Sequence, residues 1–361
     1  MHCPIDVTTN SENIRQEPYN MPKGFEWSEI DVKNPEELDE VHNLLQINYV
    51  GDSNFKIFYS KEFLTWAYTS PGHKKEYHLG VRSSKTKKLI GLITGFETKI
   101  RIYEKVVPAL EINYLCVHKK LRDKRLAPVL IKEIRRRAYV NGIYQAAYTT
   151  IADLPGAIGR AKYYHRKLDM KVMYDMGWTD RKMTLARATK KFRLPAETKT
   201  PGLRPMTSKD VPSAHKLLMN YLKKFDLTFQ YSEEEFAHFF LPREKVIYCY
   251  VAVSEKSGEV TDLCSFYLLP SKGINQKIDI LEQAYSWYNV ATSVDYGTLM
   301  KDALILANNL NMHTYCLMSV MENESIFDEC KVEETTAFLN YRIFNWACPN
   351  VKQEKIGMML F

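Results

Sequence analysis

Between Glu111 and Asn141 the apolar positions of the chain change period. Ile112, Tyr114, Leu115, Cys116 and Val117 form an apolar run of strand length, broken by one polar side chain, Asn113. Farther on, Leu130, Ile131, Ile134 and Ala138 fall on one helical face, with Lys132, Glu133, Arg135 and Arg136 outside it. The pattern predicts a buried strand, a turn and an amphipathic helix over 128–140. Pro128 suits the first turn of that helix, where its missing N–H costs nothing, and Asn141-Gly142 supplies the stop.

The same order of elements occurs twice. Leu38–Tyr49 parallels Val211–Tyr221, and both are helical by apolar spacing. Each is followed by a predicted hairpin: His78–Val81 and Leu89–Phe96 around the turn Ser83–Lys88, then Val246–Val253 and Val260–Leu268 around Glu255–Glu259. A further strand (Ile112–Val117; Tyr285–Val290), a helix (Pro128–Val140; Leu299–Asn309) and another strand (Ala146–Ile151; Met312–Val320) complete each half. Repetition of the whole order argues for duplicated mixed α/β units. The Pro-rich and Gly-containing stretch Arg193–Asp210 reads as the linker. The expected organisation is an N-terminal arm (1–30), a first half (31–192), a linker (193–210) and a second half (211–361). The strand–helix–strand unit at 111–151 is expected to be a right-handed parallel crossover.

Composition narrows the class. Hydrophobic residues make up 45% of the 361 positions, enough for a substantial core. Net charge is +7, mild for this length, and a basic loop serving an anionic ligand explains it better than a nucleic-acid face, for which there is no motif. The seven cysteines have no CxxC spacing and no signal peptide precedes them, so they read as reduced in a cytoplasmic protein. The nine histidines form no HExxH or Cys/His cluster, so no metal site is expected. No apolar run reaches the roughly 18–20 residues of a membrane span. His2 stands where acylation of the chain's own N-terminus would need glycine. The 23 tyrosines and 16 phenylalanines suit an aromatic-lined groove, although core packing is the default for most.

Lys119, Lys120, Arg122, Lys124 and Arg125 lie between the predicted strand and helix. Free backbone N–H groups, the positive dipole end and side-chain cations there all favour phosphate. For an isolated run of this kind a solvated helix start is the ordinary reading. Arg122-Asp-Lys-Arg125-Leu-Ala127, however, resembles the CoA-pyrophosphate loop of the GNAT acyltransferases, with Arg at the middle glycine. The full string Glu111-Ile-Asn-Tyr-Leu-Cys-Val-His-Lys119 closely resembles the first signature of the eukaryotic glycylpeptide N-tetradecanoyltransferases, the N-myristoyltransferases. Glu12–Tyr19, Pro22–Trp27, Gly202–Met206, Ala284–Val290 and Glu354–Phe361 resemble further family segments, in the family's order.

That resemblance implies a mixed α+β (α/β) fold of two pseudo-symmetric GNAT-like halves sharing a continuous saddle-shaped sheet. The first half would hold myristoyl-CoA, a co-substrate rather than a tightly bound cofactor; the second would supply most of a groove for peptides beginning with glycine. A monomer is expected. The implied reaction is attack of the glycine amine on a thioester carbonyl, which needs a base, oxyanion donors and a dry acyl slot. A fully buried tail of this length gains on the order of 10 kcal/mol, at about 0.8 per CH₂. By resemblance, the oxyanion donors are the main-chain N–H groups of Tyr114 and Leu115, while Asn113 and Thr149 lie near the amine. Leu115, Cys116, Val117, Arg122, Asp123, Lys124, Arg125, Leu126 and Ala127 would line the acyl-CoA. Tyr49, Phe55, Tyr59, Tyr163, His165, Ser271 and Tyr285 match positions near the first peptide residues. Each alone is more often a core or surface residue, and it is the ordered set that carries the match. The base would be the chain's own terminal carboxylate at Phe361: Met358–Phe361 is an apolar tail, and burial raises a free α-carboxyl above its ordinary 3.3–3.7.

Some segments depart from the family. Its Gly-rich second signature is replaced by Lys331-Val-Glu-Glu-Thr-Thr-Ala337. The acidic loop after Tyr49 keeps one carboxylate in Gly51-Asp-Ser-Asn54, Cys316 replaces an Asn, Asp123 enters the phosphate loop, and the family's upstream aromatic segment is missing. Two alternatives stay open: an acceptor-shifted enzyme, and a catalytically weakened paralogue that binds acyl-CoA.

Overall fold

The computed structural model describes residues 2–6, 14–51, 54–180, 182–274 and 276–360. Its centre is one 14-stranded sheet. From one edge the order is Ile356–Gly357, Leu227–Phe229, Leu89–Ile102, Lys105–Val117, Ala146–Thr150, Glu333–Phe344, Gly159–Lys167, Thr314–Met318, Gln283–Val290, Val260–Leu268, Ile247–Val253 and Arg204–Pro205. His78–Ser83 also pairs with Leu89–Ile102 and carries Phe25–Glu29 on its outer side.

The duplicated order is realised. In each half an antiparallel hairpin leads to a long strand, a helix crosses over, and a parallel strand returns: Lys105–Val117, Leu126–Val140 and Ala146–Thr150, then Gln283–Val290, Tyr296–Asn309 and Thr314–Met318. What the pattern did not reveal is an exchange. Gly159–Lys167, from the first half, pairs with Thr314–Met318 of the second. Glu333–Phe344, from the second, pairs with Ala146–Thr150 of the first. Each half's last strand thus completes the other's sheet, which welds the halves together by backbone hydrogen bonds.

Helices begin where their capping chemistry allows. Pro35–Asn48 starts with Pro in its first turn behind Asn34, whose side chain accepts from Glu36 N–H. Glu233–Phe240 has a full capping box from Ser232 and Glu235. Leu126–Val140 ends as expected: Gly142, at φ +74°, returns its N–H to Tyr139, and Ile143 N–H reaches Ala138.

Its apolar face differs from the pattern, because Ile131 is 48% exposed and Glu133 is fully buried. Glu133 accepts from Arg136, Arg137 and the Tyr19 N–H, so a side chain assigned to the polar face anchors the N-terminal segment over the helix. The helix also starts two residues earlier than expected, at Leu126. The stretch read as a linker is docked: Arg204–Pro205 pairs with Tyr250 and Val251, and buried Asp302 accepts from the N–H groups of Lys199 and Thr200.

Candidate acyl-transfer site

Strand Lys105–Val117 carries a β-bulge at its centre. Thr94 pairs with Asn113 and Leu92 with Cys116, so Tyr114 and Leu115 together face Ile93. Tyr114 adopts φ +53°, a left-handed conformation that costs a non-glycine residue about 1–2 kcal/mol. Packing holds it there. The buried Tyr114 ring stacks on Tyr68 at 5.1 Å and meets Tyr59 edge-on at 5.6 Å, with Tyr49 at 6.0 Å. Its main-chain N–H is directed at the Tyr49 hydroxyl, which burial nevertheless keeps protonated by pushing its pKa up.

Beside the bulge the sheet opens. The parallel ladder to Ala146–Thr150 contains only Leu110↔Ala146 and Glu111↔Ala147. Beyond it Thr149 and Thr150 pair instead with Tyr341 and Asn340. Among the described residues the backbone edge after Ile112 therefore has no ladder partner on this side. The splay makes a cleft with the Asn113–Leu115 main chain on one wall and the Thr149 strand on the other.

At one end of the cleft lies the basic loop. Lys119–Lys124 form a 3₁₀ turn, and Arg125 at φ +55° redirects the chain into the helix. Among the described residues no side chain caps that helix start, so its first N–H groups remain available to an anion. Asn48, 2% exposed, fixes the loop: its Oδ1 accepts from Lys119 N–H at 3.0 Å and its carbonyl from the Arg122 guanidinium at 2.7 Å. Lys124 pairs with Asp123 at 3.0 Å, which occupies part of the loop's charge. Cys116 is buried against helix Pro35–Asn48, and burial pushes its thiol up to about 12, so it is packing rather than a nucleophile. Leu115, Leu126 and Ala127 lie in the apolar cluster beneath the signature helix, together with Val117.

The expected peptide residues gather at the other end. Tyr49 and Tyr59 join the Tyr114 cluster, while Tyr163 meets Tyr285 at 6.2 Å. Phe55 and His165 both contact Trp178, at 5.5 and 6.1 Å. Ser271 bonds Gln283 at 2.6 Å, and the Gln283 amide reaches Cys316 Sγ at 3.7 Å. Burial, then Lys167, lowers His165, and burial pushes the Cys316 thiol up to about 11. The altered segment forms the rim. Glu333 pairs with Lys167 and Glu334 with Lys162. Thr335, Thr336 and Ala337 bulge out between Glu334 and Phe338 and help line a cavity of about 530 Å³.

The C-terminal tail is packed, as its composition suggested. Ile356–Gly357 lies parallel to Leu227–Thr228, and Met358, Met359 and Leu360 are at most 3% exposed. The Tyr288 hydroxyl clamps it, accepting from Met359 N–H and donating to the Gly357 carbonyl, both at 3.1 Å. Phe361 itself lies outside the described residues, as do Asp52 and Ser53 of the shortened acidic loop.

Several contributors escaped the sequence reading: Asn48, Tyr68, Trp178, Gln283 and Tyr288. Tyr288 lies within the family-like segment Ala284–Val290 and Asn48 within the repeated helix Leu38–Tyr49, but the contacts that make all five contributors arise only when distant elements meet. The positive φ at Tyr114 had one signal, the polar break at Asn113 in an apolar strand.

A family model for the N-terminal domain of myristoyl-CoA:protein N-myristoyltransferase matches residues 4–161, and one for the C-terminal domain matches 175–359. The chain is 42% identical over 361 residues to a Drosophila melanogaster glycylpeptide N-tetradecanoyltransferase, spanning 99% of this chain and 76% of that protein. It is 42% identical to glycylpeptide N-tetradecanoyltransferase 1 of Arabidopsis thaliana, spanning 99% and 84%. Its fold is similar to a crystal structure of Saccharomyces cerevisiae N-myristoyltransferase with bound myristoyl-CoA, at TM-score 0.94 and 34% identity, covering 100% of this chain and 91% of that one.

Proposed function

The chain belongs to the myristoyl-CoA:protein N-myristoyltransferase family, and from that premise we propose that it moves myristate from myristoyl-CoA to the N-terminal glycine amine of proteins, with its own C-terminal carboxylate as base. It is an acyltransferase by family, with myristoyl-CoA as co-substrate. The observation that carries the reading is the strained bulge at Tyr114, which opens on the cleft next to an uncapped, cation-rich helix start.

In this reading the CoA phosphates rest on Arg122, Lys124, Arg125 and the first N–H groups of Leu126–Val140. The thioester carbonyl lies against the N–H groups of Tyr114 and Leu115, which stabilise the oxyanion as it forms. Asn113 and Thr149 orient the amine, the Phe361 carboxylate accepts its proton, and nitrogen attack expels CoA thiolate. The aromatic end takes the residues after glycine. The halves divide as 31–192 and 211–361 around the docked 193–210 segment, after an arm at 1–30, and the protein acts as a cytoplasmic monomer. No described helix is long and apolar enough to cross a membrane.

Mass spectrometry after incubation with myristoyl-CoA and a Gly-starting octapeptide tests this. A myristoylated peptide with CoA release is expected. Tight myristoyl-CoA binding without product would favour the second reading, a weakened or acceptor-shifted paralogue, for which the ion-paired rim at Glu333 and Glu334 argues.

A further inference from the structure

Glu111, the first residue of the signature, is 8% exposed, yet no cation pairs with it among the described residues. Its one hydrogen bond there is from Asn113 Nδ2 to Glu111 Oε1, at 2.7 Å. Its cross-strand neighbours, Phe96 and Ala147, offer no polar side chain. The titratable groups that face it are Glu235, on helix Glu233–Phe240, and the tyrosines Tyr231 and Tyr288. Tyr231 and Tyr288 approach each other at 3.4 Å, and Tyr288 clamps the C-terminal tail. Glu111 thus stands between the cleft and the tail, and nothing in the reaction so far uses it.

The chemistry of the pair is directional. An ionised carboxylate only accepts hydrogen bonds, so it must receive the NH₂ side of the Asn113 amide. A neutral carboxyl can also donate and tolerates either face of the amide. Among the described residues Asn113 Oδ1 makes no hydrogen bond, and Asn113 lies just past the last ladder pair, Glu111↔Ala147, where the strands splay. An amine nucleophile carries N–H groups that need an acceptor there; an outward Asn113 NH₂ would oppose them.

We propose that Glu111 is a positioning residue: as a carboxylate it locks the Asn113 amide with Oδ1 toward the cleft, where that oxygen accepts from the substrate's glycine amine. This rests on the assignment of Asn113 to the amine site made above. Burial pushes the Glu111 carboxyl up to about 7, against the opposing Asn113 bond, so the lock engages as pH rises through neutrality.

The test compares wild type, Glu111→Gln, Glu111→Asp and Asn113→Leu for peptide kcat/KM between pH 5.5 and 8.5, with myristoyl-CoA affinity measured in parallel. Glutamine keeps the shape but presents either face to Asn113 at every pH. The peptide amine titrates identically in all four proteins, so it cancels in ratios. The wild-type to Glu111→Gln ratio is expected to rise through about pH 7 to roughly tenfold, the worth of one charge-assisted hydrogen bond. Glu111→Asp should keep a pH-dependent limb at lower activity, and all variants should bind myristoyl-CoA within about twofold of wild type. A ratio flat with pH, or an aspartate variant indistinguishable from glutamine, overturns the proposal. Should Glu111→Gln not fold, the limb in wild type and Glu111→Asp decides: its absence from both is equally fatal. An Asn113→Leu protein of undiminished turnover would instead remove the assignment of Asn113 on which the proposal stands.

Discussion

At the basic-loop end of the cleft, Tyr114 and Arg125 hold left-handed backbones, so main-chain N–H groups join the loop's cations in what is offered to a ligand. At the aromatic end, Glu333 and Glu334 are taken up by Lys167 and Lys162, and what remains is side-chain identity. Main-chain recognition depends on conformation. A residue can therefore change, as the resemblance implies for Arg125 at a glycine position, provided the backbone keeps a left-handed conformation, as Arg125 does. Side-chain recognition has no such tolerance, and losing carboxylates or glycines changes what the rim can bind. A sequence can thus diverge strongly at one end of a site while the other stays recognisable.

The largest effect expected concerns the C-terminal tail. A short flexible extension after Phe361 converts the terminal carboxylate into a neutral amide; turnover should fall by about 10²–10⁴-fold, the usual worth of a positioned base, with myristoyl-CoA binding retained. Phe361→Leu keeps the carboxylate and should cost far less. An extended protein of full activity would leave an internal group, such as His165, to be considered as base.

A stability measurement sharpens the contrast from the signature side. Burial pushes the Glu111 carboxyl up to about 7 in the fold, against an ordinary value of 4.5. From about 4.5 to 7 the unfolded chain loses that proton while the folded one keeps it, so stability declines as pH rises and the cost is complete above 7. Glu111→Gln lacks that cost. Its stability relative to wild type should increase by up to about 3 kcal/mol between pH 4.5 and 8, read from urea melts. Parallel pH dependence in the two proteins would mean that Glu111 titrates normally.

Next comes the basic loop. Neutralising Arg122 and Arg125 together should weaken myristoyl-CoA binding by about tenfold or more, and salt should weaken wild-type binding. Unchanged affinity in calorimetry would reduce the loop to a solvated helix start. The smallest effect belongs to the rim. With both rim glutamates ion-paired, replacing a late basic residue of the peptide by a neutral one should alter kcat/KM by less than about tenfold. A preference of about 100-fold for the basic peptide, roughly 2.7 kcal/mol, would erase the difference between the two ends.

The amino-acid sequence determined the alternation of strands and helices, the doubled order, the Gly142 stop and the basic loop, because these follow from local periodicity and turn chemistry. Its signature also pointed to Tyr114 and Arg125 without disclosing their backbone strain. Tertiary structure alone decided the exchange of strands between halves, the burial of Glu133 while Ile131 stayed exposed, and the support of the basic loop by Asn48. The reason is range. A helical face or a turn is set by residues a few positions apart, whereas a buried carboxylate or amide becomes favourable only when distant segments bring it partners. Glu133 needed Tyr19, and Asn48 needed Lys119 and Arg122, before either could be buried at tolerable cost.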